Sequence, residues 1–112
     1  MKILLITPVE TPDVIIWFEE LLKKFGHETT MSNYKSALSD LPEDDYKIII
    51  IVCENLGFQE IEMFSDEINC YRDLKKSLKS HQEIIRLNIL ECGEGEYILM
   101  PENPETLLAK LN

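Results

Sequence analysis

The chain has 112 residues, 45% hydrophobic and 29% charged, and a formal net charge of −10 from 21 acids and 11 bases. That length and composition suit one globular domain, residues 1–112, with one core. The acidic balance works against phosphate backbones and anionic lipid, so nucleic acid and membrane surfaces are poor partners for it alone. The three cysteines, Cys53, Cys70 and Cys92, and the two histidines, His27 and His81, form neither a disulfide framework nor a zinc pattern, which suits reduced thiols in a cytoplasmic protein.

The chain opens on Lys2-Ile3-Leu4-Leu5-Ile6-Thr7, a continuous apolar run. It is too short for a signal peptide or a membrane span and reads as a strand covered on both faces, ended by Pro8. A helix follows. Thr11 is its N-cap, Pro12 its first residue, and Asp13 suits the positive end of the helix dipole. Val14, Trp17, Phe18, Leu21, Leu22 and Phe25 recur at helical spacing, with Trp17 expected in the core or at its edge, and Gly26 marks the stop.

A short strand is expected at 27–31, then a short helix over 34–41 with Tyr34, Ala37, Leu38 and Leu41 inward. Pro42-Glu43-Asp44-Asp45 makes a polar turn. Ile48-Ile49-Ile50-Ile51-Val52, five β-branched residues in succession, predicts a central, fully buried strand. Residues 58–79 read as helical, with Ile68, Tyr71, Leu74 and Leu78 as the inner stripe.

The stretch 83–90 carries two patterns. Ile85, Leu87 and Ile89 alternate as in a strand, whereas Ile84 and Leu87 fit a helix face; the strand reading is preferred. Tyr97-Ile98-Leu99-Met100 predicts a last strand, ended by Pro101. If both are strands, the loop between them is too short for a parallel crossover and they must form a hairpin. Asn103 and Pro104 start a final helix docked by Leu107, Leu108 and Leu111. Strands alternating with helices predict an α/β fold with a mainly parallel sheet and helices on both faces.

In such sheets ligands sit outside the carboxyl ends of the strands. That directs attention to Thr7–Glu10, Cys53–Leu56 and Met100. Glu10 and Glu54 are the pair that would meet there to hold a divalent cation, although two solvated acids is the plainer reading. Cys53 follows an apolar run, and apolar burial makes a thiol inert. Gly93-Glu94-Gly95-Glu96 lacks the spacing and lysine of a phosphate loop and reads as a tight turn. No nucleophile–base pair or metal-ligand spacing stands out, so neither an enzyme nor a cofactor is expected.

The order of elements, Asp45-Tyr46-Lys47 leading into the isoleucine run, and Leu90-Glu91-Cys92-Gly93-Glu94-Gly95-Glu96-Tyr97-Ile98-Leu99-Met100-Pro101 followed by Pro104-Glu105-Thr106-Leu107-Leu108 resemble the response-regulator receiver domain. The resemblance implies a flavodoxin-like, three-layer sandwich, modified near its fourth strand and fourth helix. It also implies that the phosphate-accepting aspartate falls on Val52, with Cys53 next, and the phosphate-steadying lysine on Met100. The magnesium-holding acids are replaced by Thr7-Pro8-Val9-Glu10, where Glu10 alone is acidic. None of these replacements supports phosphotransfer. The chain is similar to a degenerate pseudo-receiver: a non-catalytic signalling module expected to bind a protein partner or itself through Glu96, Tyr97, Met100 and Pro101. The alternative is a flavodoxin-type domain for flavin or another small molecule.

Overall fold

A computed structural model describes residues 1–7, 13–54, 65–91, 97–101 and 109, with side chains of 53, 54, 65–68, 88–91 and 97–101 outside that description. The elements are β1 (Lys2–Thr7), α1 (Asp13–Lys24), β2 (Glu28–Asn33), α2 (Ala37–Asp40), a 3-10 turn (Leu41–Glu43), β3 (Ile48–Glu54), α3 (Ser65–Ser77), β4 (Glu83–Glu91) and β5 (Tyr97–Pro101). They build one five-stranded sheet in the order β2-β1-β3-β4-β5. The first four strands in that order are parallel, and β5 runs antiparallel to β4. The layering and order are compatible with the Rossmann- and flavodoxin-like class of α/β folds.

The isoleucine run is the centre. β3 lies between β1 and β4, and Ile48–Val52 are each no more than 2% exposed. Successive residues of a strand face opposite ways, so the run feeds two cores. Ile48, Ile50 and Val52 join Ile3, Leu5, Ile85 and Leu87 against Ile15, Phe18 and Leu22 of α1. Ile49 and Ile51 join Leu4 and Ile6 against Ala37, Leu41, Tyr46, Cys70 and Leu74. The helices therefore divide as right-handed crossovers require. The step from β1 to β2 goes one way along the sheet and carries α1, while the steps to β3 and β4 go the other way and carry α2 and α3 on the opposite face.

Helix α1 ends at Gly26, whose φ of 88° is open to glycine and costly for other residues. The Gly26 N–H bonds the Lys23 carbonyl and the His27 N–H that of Leu22, a Schellman closure. The inner stripe of α1 is Ile15, Phe18 and Leu22, with Val14 packed at its margin. Trp17 and Phe25, expected inward, are 58% and 72% exposed. The cause is that α1 is apolar over a wide arc, and the sheet covers only the part centred on Phe18. Thr11 and Pro12, the predicted helix start, lie outside the described residues.

Further expectations are adjusted. The second strand covers 28–33, not 27–31, and the helix predicted over 34–41 is only Ala37–Asp40 followed by the 3-10 turn. Leu38 faces solvent, at 44% exposure. The inner face of α3 is Cys70 and Leu74, with Tyr71 and Leu78 half-covered, and the proposed helical lead-in at 58–64 lies outside the described residues. Residues 83–91 are a strand, and five residues separate it from β5, so the two form the hairpin that the short loop demands. Of the predicted final helix only Ala109 is described, and it is helical.

Ile50→Ala is expected to cost about 2–5 kcal/mol by urea denaturation, because it opens a cavity at a fully buried site. Trp17→Ala is expected to change stability by no more than about 0.5 kcal/mol. The contrast checks which apolar residues of the sheet and α1 belong to the core.

Candidate functional site

The order of strands reverses between β1 and β3, so the crevice that such sheets use lies beyond the carboxyl ends of those two strands. Its described floor is Thr7 at the end of β1, 3% exposed, and Val52 near the end of β3, 0% exposed. Val52 packs into the α1-side core, and its carbonyl accepts the Tyr34 hydroxyl. The floor at this point is hydrocarbon.

Around β2 the crevice edge is polar. Ser32 is 8% exposed; its hydroxyl donates to Asp40 Oδ2 at 2.6 Å and lies 3.2 Å from the Ser36 hydroxyl. Its single proton goes to the carboxylate, so Ser36 donates to it. Thr7 Oγ1 donates to the Ser32 carbonyl at 3.3 Å. Asn33 Oδ1 accepts the Lys35 and Ser36 amides at 3.0 and 3.1 Å, turning the chain from β2 into α2. These groups satisfy one another and fix the β2–α2 corner.

The register places the remaining predicted residues. Cys53 pairs with Asn88, and Asn88 pairs with Met100, so the backbones of all three lie in one row. Glu54 lies one row further out, with Ile89 and Leu99. Tyr97 pairs with Glu91, two rows beyond Glu54, and Pro101 pairs with Leu87 in the row of Val52. Met100 lies beside the end of β3, in the Cys53 row, although its own strand runs the other way. Because β5 is reversed, its carboxyl end runs back into the sheet and its amino end, Tyr97, projects furthest. Glu10 and Glu96 lie outside the described residues. Among the described residues no group of three His, Cys, Asp or Glu side chains gathers to hold a metal.

Arg86 stands in the Ile51 row, half-buried, with its guanidinium carbon 5.3 Å from the centre of the Tyr71 ring. Lys75 Nζ lies 5.8 Å from the same ring. Both cations gain from the negative face of the phenol. The signal of Arg86 in the sequence is a cation set among the apolar residues Ile84, Ile85 and Leu87.

Two ion pairs lie at the amino end of the sheet, opposite the crevice. His81 Nε2 lies 2.7 Å from Asp45 Oδ1, both exposed, and Lys2 Nζ lies 2.8 Å from Asp44 Oδ1. The hydrogen bond and charge of Asp44 raise the Lys2 ammonium above its ordinary value, and the hydrogen bond from Lys2 holds the Asp44 carboxyl below the usual range. Cys70 is buried at 4% exposure in the core beneath α3, where apolar surroundings keep a thiol inert. Among the described residues no helix is long and apolar enough to cross a membrane. No protein-family model and no curated protein matches the chain.

Two outcomes follow. Ser32→Ala removes a bond to a carboxylate at a buried corner and is expected to lower stability by about 1.5–3 kcal/mol, seen as a lower urea midpoint at unchanged slope. Asp44→Asn is expected to be slightly less stable than the parent near neutral pH. The lowered Asp44 value makes its contribution present above the unfolded value and lost as pH falls through the folded one. The raised Lys2 value makes the pair fade again as pH rises through it. The stability gap, followed by denaturation against pH, should close at both ends.

Proposed function

We propose that the chain is a regulatory module of pseudo-receiver type, which acts by binding a protein partner and does not accept phosphate. The observation that carries this reading is Val52. The carboxyl end of the central strand is where a receiver presents its aspartate, and here the position is held by a hydrocarbon side chain that is 0% exposed and built into the core. A valine cannot form an acyl phosphate.

The strand order β2-β1-β3-β4-β5 supports a receiver-like frame. The reversed β5 and the hairpin joining it to β4 are where this chain departs from that frame. The departure bears on the lysine position too. Met100 brings no charge, and its strand enters the crevice from the opposite direction. Both changes remove phosphate chemistry and leave the framework.

The surface proposed for the partner is the β5 edge, with Tyr97, Met100 and Pro101, together with Glu96, which precedes it in the sequence. Among the described residues no strand of the sheet lies beyond β5. An edge strand offers backbone donors and acceptors that a partner can pair with. Tyrosine is well suited to an interface because its large ring orders at small entropic cost.

Tyr97→Ala combined with Glu96→Lys is expected to weaken capture of a specific cellular protein by the immobilised chain about tenfold or more, with the urea midpoint nearly unchanged. Capture that is indifferent to both substitutions contradicts the assignment of this face.

A further inference from the structure

We propose that the outer face of α3, with the turn that follows it, is a docking surface for a short acidic polypeptide segment. The proposal concerns a surface other than the β5 edge and does not depend on the regulatory reading.

It starts from an uneven distribution of charge. Residues 72–79 hold Arg72, Lys75, Lys76 and Lys79 against one acid, Asp73, a net of +3 in a chain of net −10. All four cations are exposed. Cys70 and Leu74 anchor α3 in the core beneath it, and helical spacing sets Arg72, Lys75 and Lys76 on the opposite side. Lys79 follows just after the helix end, where its backbone N–H donates to Gln82 Oε1 at 2.9 Å.

The fold does not neutralise this strip. Asp73 accepts from Arg72 Nε at 3.4 Å. Among the described residues Lys75, Lys76 and Lys79 make no ion pair, in a chain with 21 acids. Lys75 is placed by the Tyr71 ring instead, and Arg86 brings a further cation to the same ring from β4. The helix dipole favours Lys75 and Lys76 in the last turn. It gives no reason for Arg72 before that turn or for Lys79 beyond the helix.

The occupant follows from spacing and charge. Side chains three and four apart on a helix stand about 5–6 Å apart at Cβ, so one carboxylate cannot span the strip and a row of anionic groups is needed. A nucleic-acid strand offers such a row, but a long uniform polyanion also meets the acidic remainder of the chain and is repelled. A short run of Asp and Glu side chains meets the strip alone. Charge complementarity therefore favours an acidic polypeptide segment.

The test is fluorescence anisotropy on the intact chain with a labelled glutamate-rich peptide. The same peptide with glutamine for glutamate, and a single-stranded oligonucleotide of similar length, are the comparisons. The glutamate peptide is expected to bind at low salt and the glutamine peptide is not, and binding is expected to fade as salt screens the charges. Lys75→Glu combined with Lys76→Glu is expected to weaken binding about tenfold or more. Lys23→Glu combined with Lys24→Glu, in the last turn of α1, is expected to leave it unchanged, as is the charge-conserving Lys76→Arg. Urea midpoints close to the parent's show that the variants are folded. A parent that does not bind the glutamate peptide, an equal loss in the α1 variant, or tighter binding of the oligonucleotide overturns the proposal.

Discussion

The structure depends on the burial of one strand from both sides. β3 supplies five consecutive β-branched residues, and none of them exceeds 2% exposure. Removing such a side chain from water stabilises by roughly 1.5–3 kcal/mol, and alternation along the strand divides that gain between the two faces. A strand this apolar needs a neighbour on each side and a layer above and below. β1 and β4 meet the first need; α1 on one face, and α2 with α3 on the other, meet the second.

That constraint also shapes the end of the sheet where α/β proteins usually work. The hydrocarbon run continues through Val52, so the core reaches the crevice floor. The polar groups nearby, Ser32, Ser36, Asp40 and Thr7, are engaged with each other at the β2 corner. Other charged groups lie elsewhere: Lys2, Asp44, Asp45 and His81 at the amino end, and the lysines of α3 on its outer side.

How far the sequence disclosed this differs from element to element. The isoleucine run and the glycine stop were legible because each has one physical solution: a fully apolar β-branched run has to be buried, and a positive φ favours glycine. The hairpin followed from loop length, once 83–91 was a strand; that segment was ambiguous because Ile84 and Leu87 satisfy a helical spacing while Ile85 and Leu87 satisfy a strand's. Trp17 was misplaced because α1 is apolar over more of its circumference than the sheet covers. Ser32, Asp40 and the Tyr34–Val52 bond were invisible because they join elements whose approach depends on the fold. The direction of β5 could be inferred, but its consequence for Met100 needed the register.

The most direct measurement is a native mass spectrum of the intact chain after incubation with magnesium and acetyl phosphate. An unchanged mass for the polypeptide, without a phosphoryl group or a bound flavin, is the result the proposed reading expects, since the position it gives to the acceptor is held by buried Val52. A phosphoryl adduct would contradict the central claim by requiring an acceptor aspartate elsewhere in the chain, and a retained flavin would make the crevice a ligand site.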